Sequence, residues 1–181
     1  MDRLQRAAVL TRLIEQLRLK GSWCGETHVQ KATLFLQDLL LVSLGFDFIL
    51  YKHGPFSFDL RDELTALRAD ELVLLEPQRG YGPRITTTDR SKYIQDLYPK
   101  TLEKYDNRIS FVTHKLGGNL ERLATAFFLT KAADSPSSLE TRAAKLIMLK
   151  PHIDRDEAMA AITEADQIIA EAGLIIERPG Q

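Results

Sequence analysis

Residues 48–57 read FILYKHGPFS, and this stretch decides the fold. Its aromatic and β-branched residues up to Tyr51 favour a strand. The step Gly54-Pro55 breaks that strand, because proline has no amide hydrogen to give to a ladder. Ser57 is a good N-cap, and leucines at helical spacing predict a helix over residues 57–70.

A hairpin is predicted to follow this helix. Residues 72–75 and 84–88 have strand composition, and the segment 77–83 between them has the glycine and proline of a turn. The order of strand, tight turn, helix and hairpin predicts a winged helix-turn-helix-like core, with the hairpin as its wing.

The residues before this core predict a buried helix. Thr27 and Gln30 have the spacing of a capping box, in which each side chain satisfies a backbone amide of a new helix. That helix is predicted over residues 28–44, with Gly45 ending it. It is apolar almost all round beyond Leu34, which is typical of a central helix.

The remainder of the chain is predicted to be helical, with no strand after Asp89. Asp154 and Glu157 predict the start of a last long helix. The sequence therefore predicts an α+β protein that is mostly α, with a winged-helix-like domain over residues 1–98. A helical C-terminal region over residues 99–181 is expected to pack on it.

Composition is that of an ordinary globular protein, with 44% hydrophobic and 27% charged residues. A net charge of −1 does not favour nucleic acid as a general partner. The single cysteine, Cys24, excludes an internal disulfide and suits a reducing compartment. The chain starts without an apolar leader, and its most apolar run is too short to cross a bilayer. We therefore expect a cytoplasmic protein with no membrane partner.

A pattern over residues 29–75 carries a resemblance to known proteins. Its matching residues are Lys31, Leu34, Phe35 and Leu36, then YKHGPFS over 51–57, then Leu60, Leu64 and Leu67. These residues resemble two related prokaryotic groups, the YwgA-like family and the Panacea domain, which is typified by the SocA antitoxin. The later segment LKPHI, residues 149–153, is followed by an acidic helix and is similar to the YwgA group in particular.

The resemblance implies a winged-helix-like core and a role in regulation or defence. Panacea domains are associated with neutralising toxins by direct contact, so a toxin or another defence component is the implied partner. The long helical C-terminal half departs from the Panacea pattern. Neither group supplies catalytic residues.

Basic residues around the predicted wing are candidate contacts for a nucleic acid or a protein partner. Arg61 and Arg68 lie on the predicted recognition helix, but its four carboxylates oppose phosphate, and solvated ion pairs explain the same charges. The hairpin and the residues after it are better placed to contact a phosphate backbone, since the arginines there could bind phosphate bidentately. Lys52 and His53 lie at the tight turn. The candidate residues are Lys52, His53, Arg61, Arg68, Arg79, Tyr81, Arg84, Arg90 and Lys92.

No pattern indicates catalysis, a cofactor or a metal site. Cys24 and His28 stand four residues apart, but a structural zinc site needs four ligands. A lone cysteine is more often a small buried apolar residue than a nucleophile. We therefore expect no enzyme, no cofactor and no metal.

The leading hypothesis is a non-enzymatic regulatory or interaction module, antitoxin-like or defence-associated, that binds a protein partner. The first alternative is a DNA-binding winged-helix regulator that uses the basic wing, with a homodimer engaging two half-sites. The second alternative is an accessory subunit of a neighbouring enzyme, such as a phosphohydrolase.

Overall fold

The computed structural model describes residues 1–115, 120–132 and 138–176, and this part of the protein is mostly helical with two small antiparallel hairpins. The predicted α+β, mostly α class is confirmed. The helices are α1 (Arg3–Leu19), α2 (Glu26–Leu34), α3 (Phe58–Ala69), α4 (Asp89–Leu97), α5 (Pro99–Lys115), α6 (Leu120–Lys131), α7 (Leu139–Leu149) and α8 (Arg155–Ile176). The strands pair as β1 (Ile49–Tyr51) with β2 (Gly54–Phe56) and as β3 (Val73–Gln78) with β4 (Tyr81–Thr87).

One hydrophobic core runs through the described helices. α2 contacts both α1 and α6, and directly after the end of α2 the ring of Phe35 meets that of Phe127 on α6, with centroids 5.1 Å apart. α6 in turn packs on α7 and α8. α1 packs against α4 and α5, on both sides of residue 98. A division into two domains at that residue stays a prediction.

The central helix is shorter than predicted. It is α-helical only to Leu34, continues as a π-helical turn over Phe35–Leu39, and stops before Leu41, which has a left-handed φ of 56°. The prediction that Gly45 ends it was wrong. After this stop the chain passes back beside the π-helical turn. There the side chain of Gln37 donates to the carbonyl of Phe46 and accepts from its amide, each at 2.8 Å.

The predicted capping box at the start of this helix was also wrong. Gly25 is the N-cap of α2, and no side chain of the described residues caps the helix. Gln30 bonds the backbone of Ser57 instead, on a distant part of the chain. The first turn of α2 is therefore left without a side-chain cap.

The Gly54-Pro55 step does not break the sheet, which corrects the sequence-based expectation. Residues 54–56 form β2, with Leu50 opposite Pro55 and Tyr51 opposite Gly54. Each strand of a two-stranded hairpin is an edge strand, so the missing amide hydrogen of proline costs no ladder bond on its open side. Gly54 takes the positive φ of 93° that lets the chain turn here.

The helix and hairpin after this turn follow the prediction closely. Ser57 caps α3, and its Oγ accepts a hydrogen bond from the amide of Leu60 at 3.2 Å. The turn predicted over residues 77–83 contains only Arg79 and Gly80, because β3 continues to Gln78 and β4 already begins at Tyr81. A ladder irregularity between Glu76 and Gln78 accommodates the intervening proline.

The later helices begin largely where local signals predict. Thr88 caps α4 with a capping box, and no strand follows β4 in the described residues. Asp154 and Glu157 bond each other's amides before α8, as predicted. The order of strand, turn, helix and hairpin is present, and membership of the winged-helix class stays a prediction.

Candidate functional site

The predicted contact residues are spread over several elements of the fold. Lys52 and His53 are exposed in the turn between β1 and β2, whereas Arg79 is exposed in the turn between β3 and β4. Lys92 is exposed on α4. Tyr81 begins β4, and its side chain lies outside the part of the structure that is described.

Two of the predicted basic residues are occupied by other parts of the fold. The guanidinium of Arg84 stacks over the ring of Trp23, 4.7 Å from its centroid. Arg90 pairs with Glu71 through an Nη1–Oε2 distance of 2.6 Å. Both arginines therefore support the hairpin and its surroundings.

Three touching aromatic rings lie at the surface where the first hairpin meets α3. The centroids of Tyr51 and Phe58 are 5.5 Å apart, and Phe56 lies 5.8 Å from Tyr51 and 5.1 Å from Phe58. Arg61 covers the ring of Phe58 at 5.0 Å. We call Tyr51, Phe56, Phe58 and Arg61 the aromatic patch.

The aromatic patch is unusually open for apolar side chains. Tyr51 is 48% exposed, Phe58 is 38% exposed, and the adjoining Ile49 is 49% exposed. Tyrosine, phenylalanine and arginine are enriched at protein–protein interfaces. Sequence analysis missed this surface because it did not recognise the hairpin that folds Tyr51 back onto Phe56.

Buried polar contacts fix the backbone beneath the patch. The ammonium of Lys31, on α2, donates to the carbonyl of Pro55. Gln30 donates to the Ser57 carbonyl and accepts from its amide, each at 2.9 Å. All of these side chains are buried, so β2 and the start of α3 are held firmly against α2. A lysine within the otherwise apolar run around Leu34 is the sequence signal for such an anchor.

A cleft of about 920 Å³ opens beside the patch. It is bordered by the N-terminus of α2, by α3, by the second hairpin, and by the segment between α7 and α8. We call it the basic cleft, after the four cations that line it. They are Arg61, Arg68, Arg122 and Lys150.

Some cations of the basic cleft have an ion-pair partner in the described chain and others have none. Arg122 pairs with Glu157 at 3.2 Å, and among the described side chains Glu26 is the other carboxylate in the lining. Within the described residues, Arg68 and Lys150 have no ion pair. The lining also includes His28 and His152, and an apolar floor of Leu64, Val73, Ile85, Leu120 and Ile153.

No protein-family model matches this chain, and no curated protein matches it either. The likeness to the YwgA-like and Panacea groups therefore stays a prediction carried by the residues quoted above. In the described ranges no helix is long and apolar enough to cross a membrane.

Cys24 is a structural residue in this fold. Its side chain is fully buried, and burial raises the pKa of the thiol to about 12 although Arg18 and Arg84 act to lower it. A thiol held neutral is a poor nucleophile. Among the described residues no cluster of three or more histidine, cysteine or carboxylate side chains is arranged to hold a metal ion.

Proposed function

We propose that the protein is a non-enzymatic interaction module that binds a protein partner through the aromatic patch. The observation that carries the proposal is the exposed group of three touching rings, bordered by Arg61. Buried aromatic and arginine anchors supply much of the binding energy at protein interfaces. The resemblance stated above adds an antitoxin-like or defence-associated role.

The rigidity of the patch supports the same proposal. Lys31 and Gln30 tie the backbone at Pro55 and Ser57 to a buried helix, so little conformational freedom remains to be lost on binding. The partner that fits is a folded protein with an apolar surface for the rings and polar groups around it.

The proposal includes a cellular location, and two alternatives stand beside it. A cytoplasmic location suits a chain whose one cysteine is buried and unpaired. DNA binding by the wing remains the first alternative, although Arg84 stacks on Trp23 and Arg90 pairs with Glu71 within the same chain. An accessory role beside a neighbouring enzyme remains the second.

Site-specific photo-crosslinking in cells of the source organism tests the proposal. A photoreactive phenylalanine derivative replaces Tyr51 in one strain and Tyr93 in another. Tyr93 is the control because it is an exposed tyrosine on α4, outside the patch. We expect one protein to be captured in stoichiometric amount at position 51 only. Capture at neither position, or equally at both, contradicts the proposal, and capture of a second copy of the chain replaces it by a homodimer.

Binding of the purified partner then measures the patch directly. Tyr51→Ala and Phe58→Ala should each weaken binding by about tenfold or more, as expected for interface anchors. Leu74→Ala is the matched control, because Leu74 is 52% exposed on β3, away from the patch. Equal effects of all three substitutions would show that the patch is not the interface.

A further inference from the structure

The basic cleft holds a cation that the described chain does not neutralise. Lys150 lines the cleft and is only 8% exposed, yet its ammonium has neither a hydrogen bond nor an ion pair within the described residues. Its stem is buried while its charged head still reaches the water of the cleft, so the head carries an uncompensated positive charge there. The position therefore favours an anion supplied from outside the chain.

A second, independent feature of the cleft has the same preference. Gly25 and the first turn of α2 line it, and no described side chain caps that helix. The amides of a first helical turn have no acceptor within the helix, and they carry the positive end of its dipole. Such a terminus binds phosphate groups readily.

The surrounding charges add to this preference. Arg68, on α3, faces the cleft without an ion pair in the described chain. Of the two carboxylates that the described part of the lining contains, Glu157 is engaged by Arg122, and Glu26 belongs to the first turn of α2. Among these described side chains, the cations that remain exceed the free carboxylates.

The shape of the cleft indicates the size of the ligand. Its volume of about 920 Å³ lies within the range of sites for small molecules and cofactors. Its floor is apolar and suits an uncharged organic body beside the anionic group. A bare inorganic ion would leave most of this space unused.

We propose that the basic cleft binds a small phosphorylated molecule, with Lys150, Arg68 and the first-turn amides of α2 holding its phosphate. The apolar floor, which includes Leu64 and Ile85, holds the rest of the ligand. This site is additional to the proposed partner surface, with Arg61 on the border between the two.

Titration of the ¹⁵N-labelled full chain, followed by amide NMR, tests the site. The probes are inorganic phosphate, adenosine monophosphate and adenosine. We expect saturable shifts for the two phosphate-bearing probes, confined to residues of the cleft, and none for adenosine. No saturable shift with either phosphate-bearing probe, or equal binding of adenosine and its monophosphate, overturns the proposal.

Variants identify the residues responsible. Lys150→Met should weaken binding by about tenfold or more, and Arg68→Ala, a surface change that leaves the core intact, should weaken it similarly. Lys145→Met is the matched control, since Lys145 is exposed outside the cleft on α7, the helix that ends just before Lys150.

Thermal unfolding gives a readout that does not depend on the probes. Without ligand, Lys150→Met should leave the Tm close to that of the wild type, because methionine keeps most of the buried stem and the lost ammonium was in contact with water. With ligand, the wild type should gain stability that this variant does not. Equal binding by Lys145→Met and Lys150→Met, or a lowered Tm without ligand together with unchanged affinity, shows that Lys150 is only structural.

Discussion

The side-chain amide of Gln30 bonds both polar groups of the Ser57 backbone. Its Nε2 donates to the Ser57 carbonyl and its Oε1 accepts from the Ser57 amide, each at 2.9 Å, and both residues are fully buried. Ser57 also caps α3, so one side chain joins the central helix to the start of the next. The aromatic patch therefore lies on a backbone that is fixed from below.

Removing this amide should destabilise the fold strongly. Gln30→Ala leaves the buried Ser57 amide without an acceptor, while the Ser57 carbonyl keeps only the amide of Arg61 at 3.2 Å, and we expect a loss of about 2 kcal/mol in the free energy of unfolding. Urea denaturation followed by circular dichroism measures it. Gln167→Ala, at an exposed position of α8, is the control and should change stability by less than about 0.5 kcal/mol. Similar losses for both substitutions would contradict the anchoring role of Gln30.

Cys24 should make stability depend on alkaline pH in a defined direction. The folded chain keeps the thiol protonated because burial raises its pKa from 9.0 to about 12. Above pH 9 the unfolded chain therefore binds fewer protons than the folded one, and stability falls as the pH rises toward 12. Cys24→Ala lacks this dependence while keeping a Cβ at the same left-handed φ of 53°.

The measurement is the difference in unfolding free energy between wild type and Cys24→Ala across a pH series. The difference should be constant below pH 9 and should shift against the wild type between pH 9 and about 12. A difference that stays constant through this window would mean that the thiol ionises as readily in the folded state as in the unfolded one.

Arg142 joins three helices of the C-terminal half. Its Nη1 and Nη2 bond the two carboxylate oxygens of Asp166 at 2.6 and 2.7 Å, and Nη1 also donates to Thr130 at 3.0 Å. Lysine cannot reproduce this two-pronged geometry, so Arg142→Lys should cost about 1 kcal/mol, a value kept low because Asp166 is partly exposed. Urea denaturation measures it beside Lys145→Ala on the same helix, and equal small effects would show that the geometry contributes nothing.

A mobility-shift titration separates the partner hypothesis from the DNA alternative. Under the leading proposal, random duplex DNA is not retarded at physiological salt. Arg79→Ala is the clean test of the wing, because Arg79 is exposed in its turn whereas Arg84 stacks on Trp23 and also supports the fold. Salt-sensitive binding whose slope falls by about one in this variant would favour the DNA alternative.

Local signals in the sequence predict part of this fold. Ser57 caps α3, and the hairpin forms around a turn at Gly80, because caps and tight turns depend on a few neighbouring residues. The capping box of Thr27 and Gln30 failed because Gln30 bonds a residue 27 positions away, which local spacing cannot show.

The two surfaces depend even more on tertiary structure. The aromatic patch requires the β1–β2 turn that brings Tyr51 to Phe58. The basic cleft brings Lys150, which follows α7, to the same space as Arg68 on α3. Sequence reasoning identified Arg68 as a candidate contact, but it could not join it to a residue so far along the chain.

The contact of Phe35 with Phe127 has a consequence for synthesis of the protein. α2 is made early, but α6, which covers Phe35, is made much later. While the chain is being translated, the apolar side of α2 and the ring of Phe35 stay uncovered until α6 has left the ribosome exit tunnel. We therefore expect chaperones that recognise exposed apolar segments to bind the nascent chain during this interval, and folding to finish only when translation is almost complete.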